Sequence, residues 1–194
     1  SSTVSPLTSP LSAFELAIPG DPSTAAFFAA TAAIVPGSNL TLNRILQNPT
    51  RIGFYDSLNK MGVGMTCVET WEDAGEIIGK LNVSHHSLNG INITEKEIPG
   101  LIDEVPIIAI LATQAKGKTE VSGAGELRVK ECDRIHAICE NLQNMGSGIV
   151  EKKDGFVIEG PEKLNGGHIK TYNDHRIAMA FTIAGLISDG PIAL

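Results

Sequence analysis

The 194-residue sequence predicts an α/β lobe of repeated βαβ-type units, with apolar helices buried inside, mixed sheets outside and a pseudo-threefold arrangement. Three observations predict it. One plan recurs from Asp21, Asp103 and Asp174: an acidic residue able to cap a helix, an almost wholly apolar or small-residue helix, a glycine, then a short β-type stretch. These helices carry no polar face, so they require enclosure on every side. The first two copies are each followed by an amphipathic helix, ending on Lys60-Met61-Gly62 and Asn144-Met145-Gly146, which can cover a surface.

In chain order, residues 1–10 are a serine-, threonine- and proline-rich stretch that reads as a flexible lead-in, and residues 11–194 form most of one lobe. The first copy has Asp21 as cap and Pro22 at the first helical position, stops at Pro36-Gly37 and continues as a strand over 39–43. Asn48-Pro49-Thr50-Arg51 reads as a turn, with Thr50 a candidate cap for a helix whose face is Ile52, Tyr55, Leu58 and Met61. A strand is expected over 77–83.

The second copy runs from Asp103 to Gly117, with a strand behind it, then reaches a charged run and a helix expected from about Val129. The apolar face of that helix is Ile135, Ile138, Cys139 and Leu142. Strands are expected over 149–158 and 168–172. The third copy runs from Asp174 to Leu194 and is truncated before its partner helix.

Composition narrows the function. An apolar fraction of 42% supports a folded core, while a net charge of −7 and a pI near 5.2 exclude a general binder of nucleic acid or anionic membrane. No stretch approaches the roughly 18–20 apolar residues of a membrane span, and the start lacks the basic and apolar parts of a signal peptide. Cys132 and Cys139, seven apart in one expected helix, cannot bridge each other, and three cysteines are an odd number. A reduced, cytoplasmic protein is the expectation. The common nucleotide-binding and hydrolase motifs are absent, and no pattern demands a metal or other cofactor. His85-His86 lacks partners at ligand spacing and reads as a surface strand or turn.

Two clusters carry chemistry. In Glu126-Leu127-Arg128-Val129-Lys130-Glu131-Cys132-Asp133-Arg134, helical spacing would put Lys130 and Arg134 on one face to meet an anion, with Glu131 beside them as an acid or base. A solvated helix start with internal ion pairs is the other reading. Cys132 has the setting for a lowered pKa but no partner that would make it a nucleophile. In Asn173-Asp174-His175-Arg176, Arg176 opens an apolar helix, where it either meets an anion or reaches solvent past an Asp174 cap. Asp103 is open between helix cap and catalytic carboxylate. The repeat favours one concavity lined by Asp103, Lys130, Glu131, Arg134 and Arg176, suited to a phosphorylated or carboxylated substrate.

At these residues the sequence resembles the 5-enolpyruvylshikimate-3-phosphate (EPSP) synthase family, the enolpyruvyl transferases of the shikimate pathway. The stretch from Leu127 to Ile135 is similar to their R-V-K-E-x-D-R motif, and Asn173-Asp174-His175-Arg176-Ile177-Ala178-Met179-Ala180 to their second signature. Asn48-Pro49-Thr50-Arg51 resembles the N-x-T-R motif of the class II, glyphosate-tolerant type. The resemblance begins near Ile18 and covers nearly the whole chain.

The resemblance implies a C-terminal lobe that takes part in transfer of the enolpyruvyl group of phosphoenolpyruvate to the 5-hydroxyl of shikimate 3-phosphate. It implies Asp103 as base, and Glu131 as the group that protonates and deprotonates the methylene carbon. Lys130 is implied to contact the shikimate substrate, Arg134 and Arg176 to bind phosphoenolpyruvate, and His175 to orient the site. It also implies a partner, the absent N-terminal lobe, without which this chain does not catalyse. Two other readings of such a lobe are a noncatalytic binding subunit and the related UDP-N-acetylglucosamine enolpyruvyl transferase.

Overall fold

A computed structural model describes residues 3–6, 9–10, 12–13 and 15–194. The lead-in expected over 1–10 lies partly outside the described residues; residues 3–6 are exposed and form neither helix nor strand.

Three βαβ units organise the chain. In the first, α1 (Pro22–Ile34) lies between Gly20 and β1 (Asn39–Leu46), and Gly20 forms a parallel bridge to Ile45. In the second, β4 (Asn92–Ile93) pairs in parallel with β5 (Gly117–Val121) across α3 (Val105–Gln114). In the third, β8 (Asn165–His168) pairs in parallel with β9 (Asp189–Ala193) across α5 (His175–Ala184). A crossover helix between parallel strands is the connection such a unit requires.

The first two units continue alike. After β1 come α2 (Gly53–Lys60) and the hairpin of β2 (Gly64–Asp73) and β3 (Glu76–Ser84), giving a sheet ordered β1-β3-β2. After β5 come α4 (Arg134–Asn144) and the hairpin of β6 (Val150–Lys152) and β7 (Gly155–Gly160), giving the order β4-β5-β7-β6. Gly62 and Gly146 follow α2 and α4 with φ of 85° and 91°, the left-handed conformation that stops a helix and that glycine adopts without strain.

The core is centred on α3, where every residue from Val105 to Thr113 is buried. Full burial of Ile107, Ile108, Ile110 and Leu111 contributes roughly 1.5–3 kcal/mol per side chain relative to exposure. It packs against α1 and α5, with β7 and α4 over its remaining sides. The expected apolar faces of α2 and α4 are covered: Tyr55, Leu58, Met61, Ile135, Ile138, Cys139 and Leu142 are all buried.

Several expectations are corrected. Enclosure on every side holds for α3 alone; α1 and α5 leave an apolar seam on which Phe28 is 58% and Leu186 59% exposed. The helix expected from Val129 starts at Arg134, because Asp133 caps it by accepting from the His136 N–H at 2.9 Å. Residues 125–129 form a 3-10 turn instead. The strand expected over 149–158 is a hairpin, since the chain turns at residues 153–154 and pairs Lys152 with Gly155. The strand expected over 168–172 lies at Asn165–His168. Thr50 is not a cap: the Asn48 side chain accepts from the Thr50 N–H at 3.0 Å and its hydroxyl at 2.7 Å, closing an Asx turn. The strand β2 had no counterpart in the sequence reading.

Candidate active site at the start of the buried helices

The starts of α1, α3 and α5 converge, and three different local devices set them. Asp21 caps α1, its carboxylate accepting from the Thr24 N–H at 2.9 Å. Asp174 caps α5, accepting from the Arg176 N–H at 2.8 Å. The start of α3 has no side-chain cap; the 3-10 turn Ile102–Glu104 leads into it, with Pro106 in the first turn. Asp103 is therefore not a cap, and its carboxylate is free to face the other two units.

Arg134 lies at the centre. Its side chain is 2% exposed, and its guanidinium donates from Nε to Asp174 Oδ2 at 2.7 Å, from Nη1 to Asp103 Oδ1 at 3.1 Å and from Nη2 to Glu131 Oε2 at 2.6 Å. Arg176, over the Phe27 ring at 6.0 Å, approaches Asp103 Oδ2 at 3.6 Å. Asp103 thus stands between two guanidinium groups brought by α4 and α5.

Burial opposes ionisation of Asp174, but Arg134 and the N–H groups of Arg176 and Ile177 outweigh it and hold that carboxyl below its usual range. Burial likewise opposes the charge on Arg134, and Asp174, Glu131 and Asp103 outweigh it. Burial pushes the Cys132 thiol up to about 11, helped by Asp174, whose Oδ2 is 3.6 Å from Sγ. The lowered thiol pKa entertained from its charged surroundings is overturned, because burial acts first and the charged group in contact with the sulfur is an anion. Cys132 also precedes α4, so only Cys139 of the pair is helical.

The expected pairing of Lys130 with Arg134 on one helix face is not formed. Lys130 is in extended backbone and its Nζ meets Glu126 Oε1 at 2.8 Å. Glu131 precedes the helix rather than opening it and is exposed except for its contact with Arg134. His175 is the exposed first residue of α5. Arg128, not singled out before, fixes this loop: it donates to Asp133 and Glu151 carboxylates at 2.8 and 2.9 Å and to the Lys152 and Lys153 carbonyls at 2.7 and 2.8 Å. The other residue missed is Glu104, 3% exposed, whose Oε1 is the one buried side-chain polar atom without a partner among the described residues. A carboxyl heading an apolar helix without a capping role was its signal in the sequence.

No grouping of three or more His, Cys, Asp or Glu suited to a metal occurs among the described residues, and no helix there is long and apolar enough to cross a membrane. His85 Nδ1 lies 2.9 Å from the Ala33 carbonyl, just beyond β3. Chemically, the site gathers two guanidinium groups with two carboxylates, Asp103 and Glu131, in reach of the same centre, and an anion reaches Arg134 only by displacing one of its carboxylate partners.

A sequence model of the EPSP synthase (3-phosphoshikimate 1-carboxyvinyltransferase) family matches residues 1–194. A 3-phosphoshikimate 1-carboxyvinyltransferase of a Sulfurihydrogenibium species is 45% identical over 184 residues, and one of Persephonella marina 46% over 185; each match covers 95% of this chain and 43% of the relative. The solved EPSP synthase of Acinetobacter baumannii superposes with a TM-score of 0.88 at 40% identity, over 91% of this chain and 42% of that one. The enolpyruvyl transferase NikO of Streptomyces tendae shares the fold at 15% identity, with a TM-score of 0.63 over 87% of this chain and 37% of its own. The chain spans about 43% of the length of the curated relatives it matches. With the family signatures at Arg128 to Arg134 and Asn173 to Arg176 folded into one charged centre, this chain belongs to the EPSP synthase family.

Proposed function

We propose that this chain supplies one half of an active site that transfers the enolpyruvyl group of phosphoenolpyruvate to the 5-hydroxyl of shikimate 3-phosphate, releasing phosphate. The observation that carries the reading is the meeting of Asp103, Arg134 and Arg176, from three segments of the chain, at the start of the buried helices. The family membership and the 43% coverage support a second lobe as the partner that completes the site.

In this reading Arg134 and Arg176 hold the phosphate and carboxylate of phosphoenolpyruvate, offsetting charge that grows as phosphate departs. Asp103 takes the proton of the 5-hydroxyl as its oxygen bonds to the enol carbon, and Glu131 delivers a proton to the methylene, giving a tetrahedral intermediate. Glu131 then recovers a methyl proton as the bond to phosphate breaks and the double bond re-forms. Lys130 contacts the shikimate substrate and His175 orients the site. An anion arriving at Arg134 replaces Glu131 at Nη2, which frees that carboxylate for proton transfer. Closure of two lobes supplies the proximity that neither has alone.

Phosphate release from the two substrates tests this, measured for the chain alone and then mixed with the remaining part of the Sulfurihydrogenibium relative. Activity only in the mixture is expected. Activity of the chain alone would overturn the shared site. Silence in both, with association of the two pieces demonstrated, would favour a noncatalytic binding lobe, and turnover with UDP-N-acetylglucosamine in place of shikimate 3-phosphate would favour that related transferase.

A further inference from the structure

Asp103 and Glu104 are consecutive in one 3-10 turn yet face different surroundings. Asp103, with a side chain 41% exposed, looks toward Arg134 and Arg176, while Glu104 is buried against the start of α1. A cavity of about 210 Å³ lies there, walled by Ser23, Arg51, Gly100, Asp103 and Glu104. Arg51 reaches its rim from the Asx turn at Asn48, and Nη2 donates to Ser23 Oγ at 3.2 Å and to Asp21 Oδ1 at 3.1 Å. The turn thus joins the first unit to the wall on which Asp103 stands.

We propose that Glu104 is a positioning residue for Asp103, seating the start of α3 against that of α1 in the cavity it shares with Ser23 and Arg51, and that this gives the Asn48–Arg51 turn its place in the site. The inference rests on the transferase reading above for its effect on rate, and on the burial of Glu104 and the shared cavity for its structural part. Burial pushes the Glu104 carboxyl up; the Ser23 hydroxyl, Arg176 and Arg51 draw it back, and Asp103 pushes it further up. Glu104 in turn raises Tyr55, whose other charged neighbour is Asp21. Burial is the largest of these influences, so the neutral form is favoured more than in a solvated glutamate. A charged carboxyl would compete with Asp103 for Arg176, since the field of that guanidinium reaches both carboxyls. Neutral, it leaves the charge of the pair on Asp103, where the 5-hydroxyl is to be met.

Two measurements test it. First, the carbonyl-stretch infrared band of a protonated carboxyl is recorded for this chain at pH 6, well above the ~4.3 of a solvated glutamate. The parent should show a band that Glu104→Gln lacks, and in Arg51→Met that band should persist to higher pH, because a cation drawing the group down is gone. No difference between parent and Glu104→Gln, or a titration that Arg51→Met leaves in place, would overturn the contact whatever the activity. Second, in the reconstituted enzyme, Glu104→Ala should lower kcat roughly 10- to 100-fold with KM values changed far less. Glu104→Gln, isosteric and permanently neutral, should recover most of that loss and carry the alkaline limb of the pH profile upward. A Gln variant as impaired as Ala, or an Ala variant as fast as the parent, would overturn the positioning role. An inactive parent mixture that keeps the infrared signature would count against the transferase reading and not against the Glu104 contact.

Discussion

Arg134 and Asp174, from α4 and α5, form an ion pair with Nε to Oδ2 at 2.7 Å in which the two side chains are 2% and 0% exposed. Such a pair is costly to break from one side, because the remaining charge stays buried without a partner. Asp174 also caps α5. Asp174→Ala should therefore lose about 3–5 kcal/mol of stability, read from the denaturant midpoint. A loss below about 1 kcal/mol would mean that solvent reaches the pair.

The same pair and Glu104 give opposite pH dependences. Asp174 is held below its usual range, so its contribution is present above the unfolded-state value near ~3.9 and is lost as pH falls through the folded one. Glu104 is raised, so its contribution is full below about 4.3 and is lost as pH rises toward its folded value. Thermal melts across pH should show Glu104→Gln more stable than the parent near neutrality, with the gap closing below about pH 4.3.

Lys130 and Glu126 pair at the surface, the latter side chain 67% exposed. An exposed pair is worth about 0–1 kcal/mol. Lys130→Met should leave the melting temperature within a few degrees of the parent while weakening shikimate 3-phosphate binding, followed by calorimetry in the reconstituted enzyme. A large stability loss would instead make Lys130 structural.

Arg128→Met removes three hydrogen bonds that fasten the loop before α4 to the β6–β7 hairpin and a fourth to Asp133 within that loop. Hydrogen exchange should accelerate over residues 125–133 before it does so in α3. Uniform acceleration would show that the loop and the core open together.

The thiols should react in the order of exposure. Cys67 is exposed, whereas Cys132 and Cys139 are pushed up to about 11 and 12, burial acting first in each. Alkylation at pH 7.5 followed by peptide mapping should modify Cys67 and spare the other two.

The parts legible in the sequence are those where local chemistry and burial agree. Asp21 and Asp174 read as caps and are caps, and the apolar run behind Asp103 became the most enclosed helix. The charged run misled because its spacing fits a helix, whereas the Asp133 cap makes Arg134 the first residue of α4. Strand β2 went unseen because most of its residues are exposed, which removes the alternation that marks a half-buried strand. The repeat led to the expectation of Asp103, Arg134 and Arg176 near one face, but not of Arg134 as its centre. Its saturation by three carboxylates was not anticipated, since nothing local specifies which acids lie across the gap, and Glu104 was overshadowed by the Asp before it.

The central guanidinium takes its partners from residues 31 and 40 positions away along the chain. Contacts of such separation form late, after the loops between them have been closed against their entropy. A chain that has wound every helix but not docked α4 and α5 therefore has no anion pocket at all. During refolding, recovery of anion affinity should track the slowest phase rather than the appearance of helical circular dichroism, so the site doubles as a clock for the last step of assembly.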